Sequence, residues 1–253
     1  MASADVCDDP IVDPAAIGVR AGNFDAVRSA CLRSEVEARV DSRALIDTPG
    51  FHGTLGGDLQ LTARFREGLG VEWGVTVQVV DYTFAQTAVV TASDATYGPF
   101  SLHGAVGRRY KERAYVAAYL HTEVPFTRSI LDSTLWGTQV AGLVTYDAHR
   151  RVALHGRVGG LFWFGSSEAG ATSRGAGVIS VDAAVRTVRW MDAFAGLELQ
   201  SGWYGVGLDH LATRIGAHWR IRGDWRVEVA GLVPLAGTER TTAAITVAVQ
   251  HDR

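Results

Sequence analysis

Lysine is almost missing from this chain. Lys111 stands alone, and arginine supplies the rest of the 24 cationic residues. Set against 27 carboxylates, this leaves a formal net charge of −3, without the basic excess that a nucleic-acid partner calls for. Proline is scarce, at 6 residues, and the only cysteines are Cys7 and Cys31. No apolar run approaches the roughly 18 residues of a membrane helix, so a membrane-spanning protein with this sequence would have to be a β-barrel, the other structure that satisfies its own backbone in lipid. The sequence has no P-loop, no dinucleotide fingerprint and no zinc signature, and neither a cofactor nor a metal is expected. The opening MASADVCDDPIVDP has neither the basic region nor the apolar stretch of a secretory signal. The expectation is that Met1 heads a mature sequence without its signal peptide.

What the chain has in abundance is alternation. In DLQLTARFREGLGVEWGVTVQV, residues 58–79, one parity reads Leu59, Leu61, Ala63, Phe65, then Trp73, Val75, Val77, Val79. The other carries Asp58, Gln60, Thr62, Arg64, Arg66, then Glu72, Thr76, Gln78. Period two means strands with unlike faces. About twelve such runs are legible, near 30–40, 58–67, 71–82, 99–109, 114–124, 135–146, 151–164, 177–189, 193–204, 209–221, 225–235 and 242–250, each boundary good to about three residues. An acidic, non-alternating segment, 1–28, precedes them and is expected to lie in the periplasm or plug a lumen. Residues 29–253 form one antiparallel domain. Connections alternate in length: DSRALIDTPGFHGTLGG, TFAQTAVVTASDATYG and GSSEAGATSRGA are long, while EGLG, RRYKER, DAHRR and RGDW are short. An up-and-down barrel with short turns at one rim and long loops at the other produces that rhythm, and both termini then fall at the short-turn rim. Within TFAQTAVVTASDATYG, the piece TAVVTA is a candidate for an extra extended segment.

The faces decide between a soluble and a membrane barrel. The polar parity carries Arg33, Glu35, Glu37, Arg64, Arg66, Glu72, His103, His121, Glu123, His155, Arg157, Asp182, Arg186, Glu198, Arg214, His218, Arg220, Arg226 and Glu228, interspersed with glycines such as Gly74, Gly196 and Gly216. Long charged side chains beside small ones suit a crowded, wet lumen. The apolar parity ends in aromatics: Phe65, Trp73, Tyr146, Trp219 and Trp225 toward the short turns, Phe100, Trp136, Phe162, Phe164 and Trp203 toward the long loops. Trp136 to Tyr146 spans roughly 33 Å of strand, which a tilt of about 40–45° reduces to a band of about 25 Å, the height of an outer-membrane apolar belt. Twelve strands close at a backbone diameter of roughly 24 Å, too wide for Val, Ala, Leu and Ile to fill. The competing reading, a soluble β-sandwich or barrel with the faces reversed, has to account for both the aromatic girdles and the loop rhythm.

With these features in view, the chain resembles Gram-negative outer-membrane β-barrels over about residues 30–250. AHWRIRGDWRVEVAGLVPLAGTERTTAAITVAVQ, residues 217–250, is similar to the closing hairpins of small transporter-like barrels, including those encoded with aromatic-degradation pathways. One departure is the ending VAVQHDR, where such barrels usually carry a terminal aromatic. The resemblance implies an outer-membrane location, lipid around the barrel and a monomer or small homo-oligomer. The function expected is passage of small solutes through a polar lumen. The alternatives are a non-conducting structural or adhesive barrel and an outer-membrane hydrolase.

Candidate chemistry is modest. An oxidising periplasm permits a Cys7–Cys31 disulfide, which would pin the N-terminal segment inside the lumen; two thiols, or a bond that only tidies the terminus, is the plainer alternative. The lumen arginines could focus anions, but on this face they are nearly balanced by carboxylates, so strong anion selectivity is not expected. Asp209 and His210 do not make a complete site: adjacent strand residues point to opposite faces, and no serine partner completes a nucleophilic arrangement. The chain is therefore read as a non-enzyme.

Overall fold

The computed structural model describes residues 30–47, 52–68, 70–86, 91–96, 100–124, 134–167, 170–202, 208–222, 224–237 and 244–252. Every regular element among them is a strand: β1 Glu35–Asp47, β2 His52–Glu67, β3 Val71–Gln86, β4 Thr91–Thr96, β5 Phe100–Lys111, β6 Ala114–Val124, β7 Thr134–His149, β8 Val152–Ser167, β9 Gly170–Val188, β10 Met191–Ser201, β11 Leu208–Arg222, β12 Trp225–Ala236 and β13 Ala244–Asp252. Val, Ile, Thr and aromatics at alternate positions favour the pleated state, and the turns fall where that pattern breaks. In the β2–β3 turn Gly68 takes a φ of 62°, the left-handed region open to glycine.

All pairings are antiparallel. β1 pairs with β2 on one side and β13 on the other, Glu35 facing Asp252 and Arg43 facing Ala244, so the sheet closes on itself. β3 has two partners along one edge. Its first half, Val71–Val77, pairs with β5. Its second half, Asp81–Gln86, pairs with β4, which stands above β5 as an added piece. The architecture is thus a closed twelve-strand barrel with one extra strand, which is TASDAT and shares only Thr91 and Ala92 with the expected TAVVTA, whose first four residues lie outside the described ones. At the short-turn rim the carbonyls of Gly70, Arg113, Arg151 and Trp190 each accept a 2.9 Å bond from the backbone N–H of Gly107, Asp147, Arg186 and Arg220, respectively, tying each hairpin end to the next.

The first strand departs from expectation. Alternation suggests 30–40, yet β1 begins at Glu35. The ladders with β13 and β2 begin at Glu35, although β2 itself continues to Glu67, and the residues before Glu35 leave that edge. They turn inward instead, and Ala30, Cys31 and Leu32 are all buried.

The two faces of the wall are unlike. Leu61, Trp73, Leu120, Val140, Val158, Ile179, Val181, Leu197, Ile215 and Ile245 point outward and are exposed. Most inward residues of the barrel strands are buried, and most of these are charged, polar or alanine: Glu37, Arg39, Gln60, Glu72, His121, Gln139, Asp182, Arg214, Glu228, Ala153, Ala212 and Ala248 among them. An apolar surface wrapped around the whole circumference, enclosing a charged interior, is the reverse of a soluble domain. Contiguous exposed apolar patches beyond a few hundred Å² mark a surface that meets lipid or protein.

Candidate functional site

The candidate site is the lumen. On the β8–β11 wall the register sets Gly196 between Asp182 and Arg214. A Cβ on Gly196 would collide with the Asp182 carboxylate, so only glycine lets that side chain lie across β10. Asp182 thereby reaches the Arg214 guanidinium, whose Nη2 donates to both carboxylate oxygens at 2.7 and 2.6 Å. Arg214 Nη1 lies 3.9 Å from Glu198, and Glu198 accepts from Arg157 at 3.4 Å. These four groups are buried and nearly neutral as a set, the arrangement that makes charge tolerable away from water.

The facing wall, β1–β3 with β13, is richer in amides and hydroxyls. Arg64 pairs with Glu35. Asp58 accepts from Gln60 at 3.1 Å and Gln78 at 3.0 Å. Asp41 lies 3.1 Å from Arg39 and accepts the Thr246 hydroxyl. Gln250 donates to Glu37 at 2.7 Å and meets His218 at 3.3 Å. Between the walls, His103 and His121 face each other across β5 and β6 with rings stacked 6.4 Å apart. The Tyr119 hydroxyl is 3.1 Å from His121 Nδ1, and His103 lies 4.0 Å from Glu72.

The lead-in Ala30–Ser34 is bound inside this lumen. Ala30 N–H donates to the Thr145 hydroxyl at 2.9 Å, and that oxygen is 3.1 Å from His155 Nδ1. Arg33 N–H donates to Glu72 at 2.9 Å. Ala30 and Leu32 pack against Ala105, Ala117, Tyr119, Ala141 and Leu143 of β5–β7. Cys31, disulfide-bonded, packs against Ala153, Ala184, Phe194, Ala212, Ala230, Leu232 and Ala244 of the opposite arc. Cys7, the other cysteine in the sequence, lies outside the described residues. A wall methyl group barely rises above the backbone, so inward alanines leave room for chain to lie against the wall, and Ala105, Ala117, Ala141, Ala153, Ala184 and Ala212 are buried beside Ala30–Leu32. The alanines form the seat of the lead-in.

Of the residues expected to line the lumen, Arg33, Glu35, Glu37, Arg64, Glu72, His103, His121, Glu123, His155, Arg157, Asp182, Glu198, Arg214, His218 and Glu228 are buried. Arg66 is exposed at the short-turn rim, its guanidinium on the Gly68 and Leu32 carbonyls. Arg186 and Arg220 are half-buried near the same rim and share Asp192, at 3.1 and 3.4 Å, and Arg226 is half-buried. Among the aromatics, Phe65, Trp73, Trp136, Tyr146, Phe162, Phe164 and Trp225 are exposed, Phe100 and Trp219 are partly so, and Trp203 lies outside the described residues. The side chains of Asp209 and His210, at the start of β11, also lie outside them. Sequence reasoning missed the inward Tyr119, Phe194, Leu143, Leu161 and Leu232, although each shares parity with a charged neighbour. It also read the lumen signs as nearly balanced. Among the described residues, the buried inward groups count ten carboxylates, Asp41 and Asp192 among them, against five arginines, while Arg66, Arg186, Arg220 and Arg226 of the same parity lie exposed or half-buried toward the rim and bring the face as a whole close to that balance.

No protein-family model matches this chain, and no curated protein does. Solved structures of low sequence identity match its fold. An outer-membrane channel from Pseudomonas putida F1 superposes with a TM-score of 0.69 at 8% identity, over 87% of this chain and 95% of that one. The translocator domain of the autotransporter NalP from Neisseria meningitidis gives 0.61 at 11% identity, over 87% and 88%. The porin KdgM, in complex with disordered oligogalacturonate, gives 0.56 at 9% identity, over 85% and 99%. The fold is that of the Gram-negative outer-membrane β-barrels.

Proposed function

We propose that the protein is an outer-membrane channel that passes small solutes through its polar lumen, held closed at rest by the lead-in Ala30–Ser34, with the N-terminal segment tethered to it through Cys31. The observation that carries this reading is the way the lumen is closed. Many of the wall residues packed against the lead-in are alanines, and the obstruction is a separate piece of chain that is no part of the wall's ladders. A barrel meant only to be solid has no reason to keep small residues facing its axis. The similar folds of a channel and a porin agree with it. The surplus of carboxylates among the fully buried part of the lumen, away from the arginines at the rim, supports a preference for cations or neutral polar solutes over anions.

The second reading, a non-conducting barrel, draws on the Asp182–Arg214–Glu198–Arg157 set, which cross-links four adjacent strands without leaving a path at that wall. Planar-bilayer recording separates the two. The channel reading expects a small conductance in the wild type that rises several-fold in Cys7→Ser/Cys31→Ser, with reversal potentials on the cation side in a KCl gradient. No current from either protein across voltage and salt removes it.

A further inference from the structure

The lumen does not use the most concentrated charge on the molecule. Three consecutive hairpins at the short-turn rim carry it. The β5–β6 end, residues 108–113, holds Arg108, Arg109, Lys111 and Arg113; the β7–β8 end, residues 149–151, holds Arg150 and Arg151; and the β9–β10 end, residues 189–190, holds Arg189. All are exposed, and Glu112 is the one carboxylate among them. These eleven residues contain seven of the chain's 24 cationic groups, where an even spread would place about one. The backbone fixes them along one arc: the Arg113, Arg151 and Trp190 carbonyls occupy equivalent positions in successive hairpins.

Their height on the barrel is the second observation. On β5 the outward stripe runs Leu102, Val106, Arg108, Tyr110, so Arg108 follows directly on lipid-type surface, and Tyr110 beyond it is 60% exposed. Lys111 Nζ lies 5.5 Å from the Tyr110 ring. Trp190, 57% exposed, is the neighbour of Arg189 in its turn. Indole and phenol rings beside cations at the edge of an apolar belt stand at the headgroup level of a bilayer, where each cation gains from a negatively charged leaflet. We propose that this arc binds the headgroups of anionic phospholipids in the leaflet that borders the short-turn rim, enriching them around β5–β10. The inference rests on the barrel spanning a bilayer, and it is independent of whether the lumen conducts.

The test uses the full chain reconstituted in phosphatidylcholine vesicles doped with brominated phosphatidylglycerol or, separately, brominated phosphatidylcholine, with tryptophan quenching reporting which lipid sits at the wall. The heat-modifiable gel shift establishes insertion; a protein without it fails the membrane reading itself. The expected result is that phosphatidylglycerol is favoured at least about threefold, and that 0.5 M salt reduces this, since exposed charges are screened over about 10 Å at ordinary ionic strength. Arg108→Gln/Arg113→Gln/Arg150→Gln/Arg189→Gln should bring the ratio to about one, and the same four positions changed to Lys should retain it. Should the fourfold variant fail to insert, Arg150→Gln/Arg189→Gln is expected to lower the ratio partway. Equal quenching by both lipids in the wild type, or a ratio unmoved by the Gln variants, overturns the proposal, as does retention on isolated peptidoglycan without any lipid preference.

Discussion

Changing Val158 to arginine asks whether lipid or water wets the outside of this barrel. Val158 is 61% exposed, on β8 between Gly142 and Ile179, and Ile179 is itself 52% exposed. Leu154 lies four residues toward the short turns and Phe162 four toward the long loops, both outward. Four residues cover roughly 13 Å of strand, or about 10 Å along the normal at a tilt of about 40°, so Val158 sits near the middle of the apolar band. An arginine there costs about 2–4 kcal/mol when the face meets hydrocarbon, a shift of roughly 30- to 1,000-fold in the folding equilibrium. Val71, outward at the first residue of β3 beside the short turn, provides the depth control. Arginine at Val71 should cost about 0–1 kcal/mol, because the guanidinium reaches the headgroups. Reversible urea titration in short-chain phosphatidylcholine vesicles, followed by tryptophan fluorescence, reads both. In a soluble protein either change is a surface substitution worth within about 0.5 kcal/mol. Equal, near-zero costs at the two depths would therefore refute the assignment of the faces, and the lumen with it.

Inside the barrel, Arg214→Met should cost about 3–5 kcal/mol because it strands the buried Asp182 carboxylate. Arg214→Met/Asp182→Leu should cost less than that single change, and strict additivity in the double-mutant cycle would show that the pair does not couple. Gly196→Ala should cost about 1–3 kcal/mol by overpacking against Asp182. Gly177→Ala, whose nearest neighbour would be the Ser201 hydroxyl at 3.7 Å, should stay within about 0.5 kcal/mol. Equal denaturation midpoints for the two glycine variants would contradict the packing described around Asp182.

Much of the wall was readable because period two makes no distinction between local and tertiary information: Glu35, His121, Arg157 and Glu228 declare their face by parity alone. Strand β6 falls where the sequence puts it, at 114–124, because RRYKER before it breaks the alternation. What the sequence could not show is where pairing stops. Leu32 continues the outward apolar parity of Val36 and reads as lipid-facing, yet it packs inside with Tyr119 and Leu143, because the chain leaves the β2 edge before Glu35 even though β2 runs on to Glu67. The inward alanines were equally silent. Alanine suits either face, and only closure of the barrel turns Ala153, Ala184 and Ala212 into a seat. The distribution of charge along the lumen was equally unreadable: Arg186, Arg220 and Arg226 share parity with Arg214, but parity carries no depth, and they gather near the rim while the buried carboxylates run the length of the wall.

The lead-in is held by side-chain and packing contacts, not by the paired ladders that hold the wall it leans on. Its described polar contacts are Ala30 to Thr145, Arg33 to Glu72, Ser34 to the Arg66 backbone and Leu32 to the Arg66 guanidinium, the last at 3.4 Å. At about 0.5–1.5 kcal/mol net for each bond, with about 1.5–3 kcal/mol for burying Leu32, the sum is several kcal/mol. Each barrel strand is instead fixed by two full ladders. On the proposed channel reading the lead-in is the element that leaves while the barrel stays folded, and what leaves with it changes the lumen. Among the described residues, Arg33 is one of five buried arginines facing ten buried carboxylates, and its backbone N–H is a donor to Glu72. The channel reading therefore predicts that withdrawing it widens the path and makes the lumen more negative together: Arg33→Gln should raise the cation-to-anion permeability ratio in a planar bilayer, and an unchanged ratio would count against the lead-in as the gate.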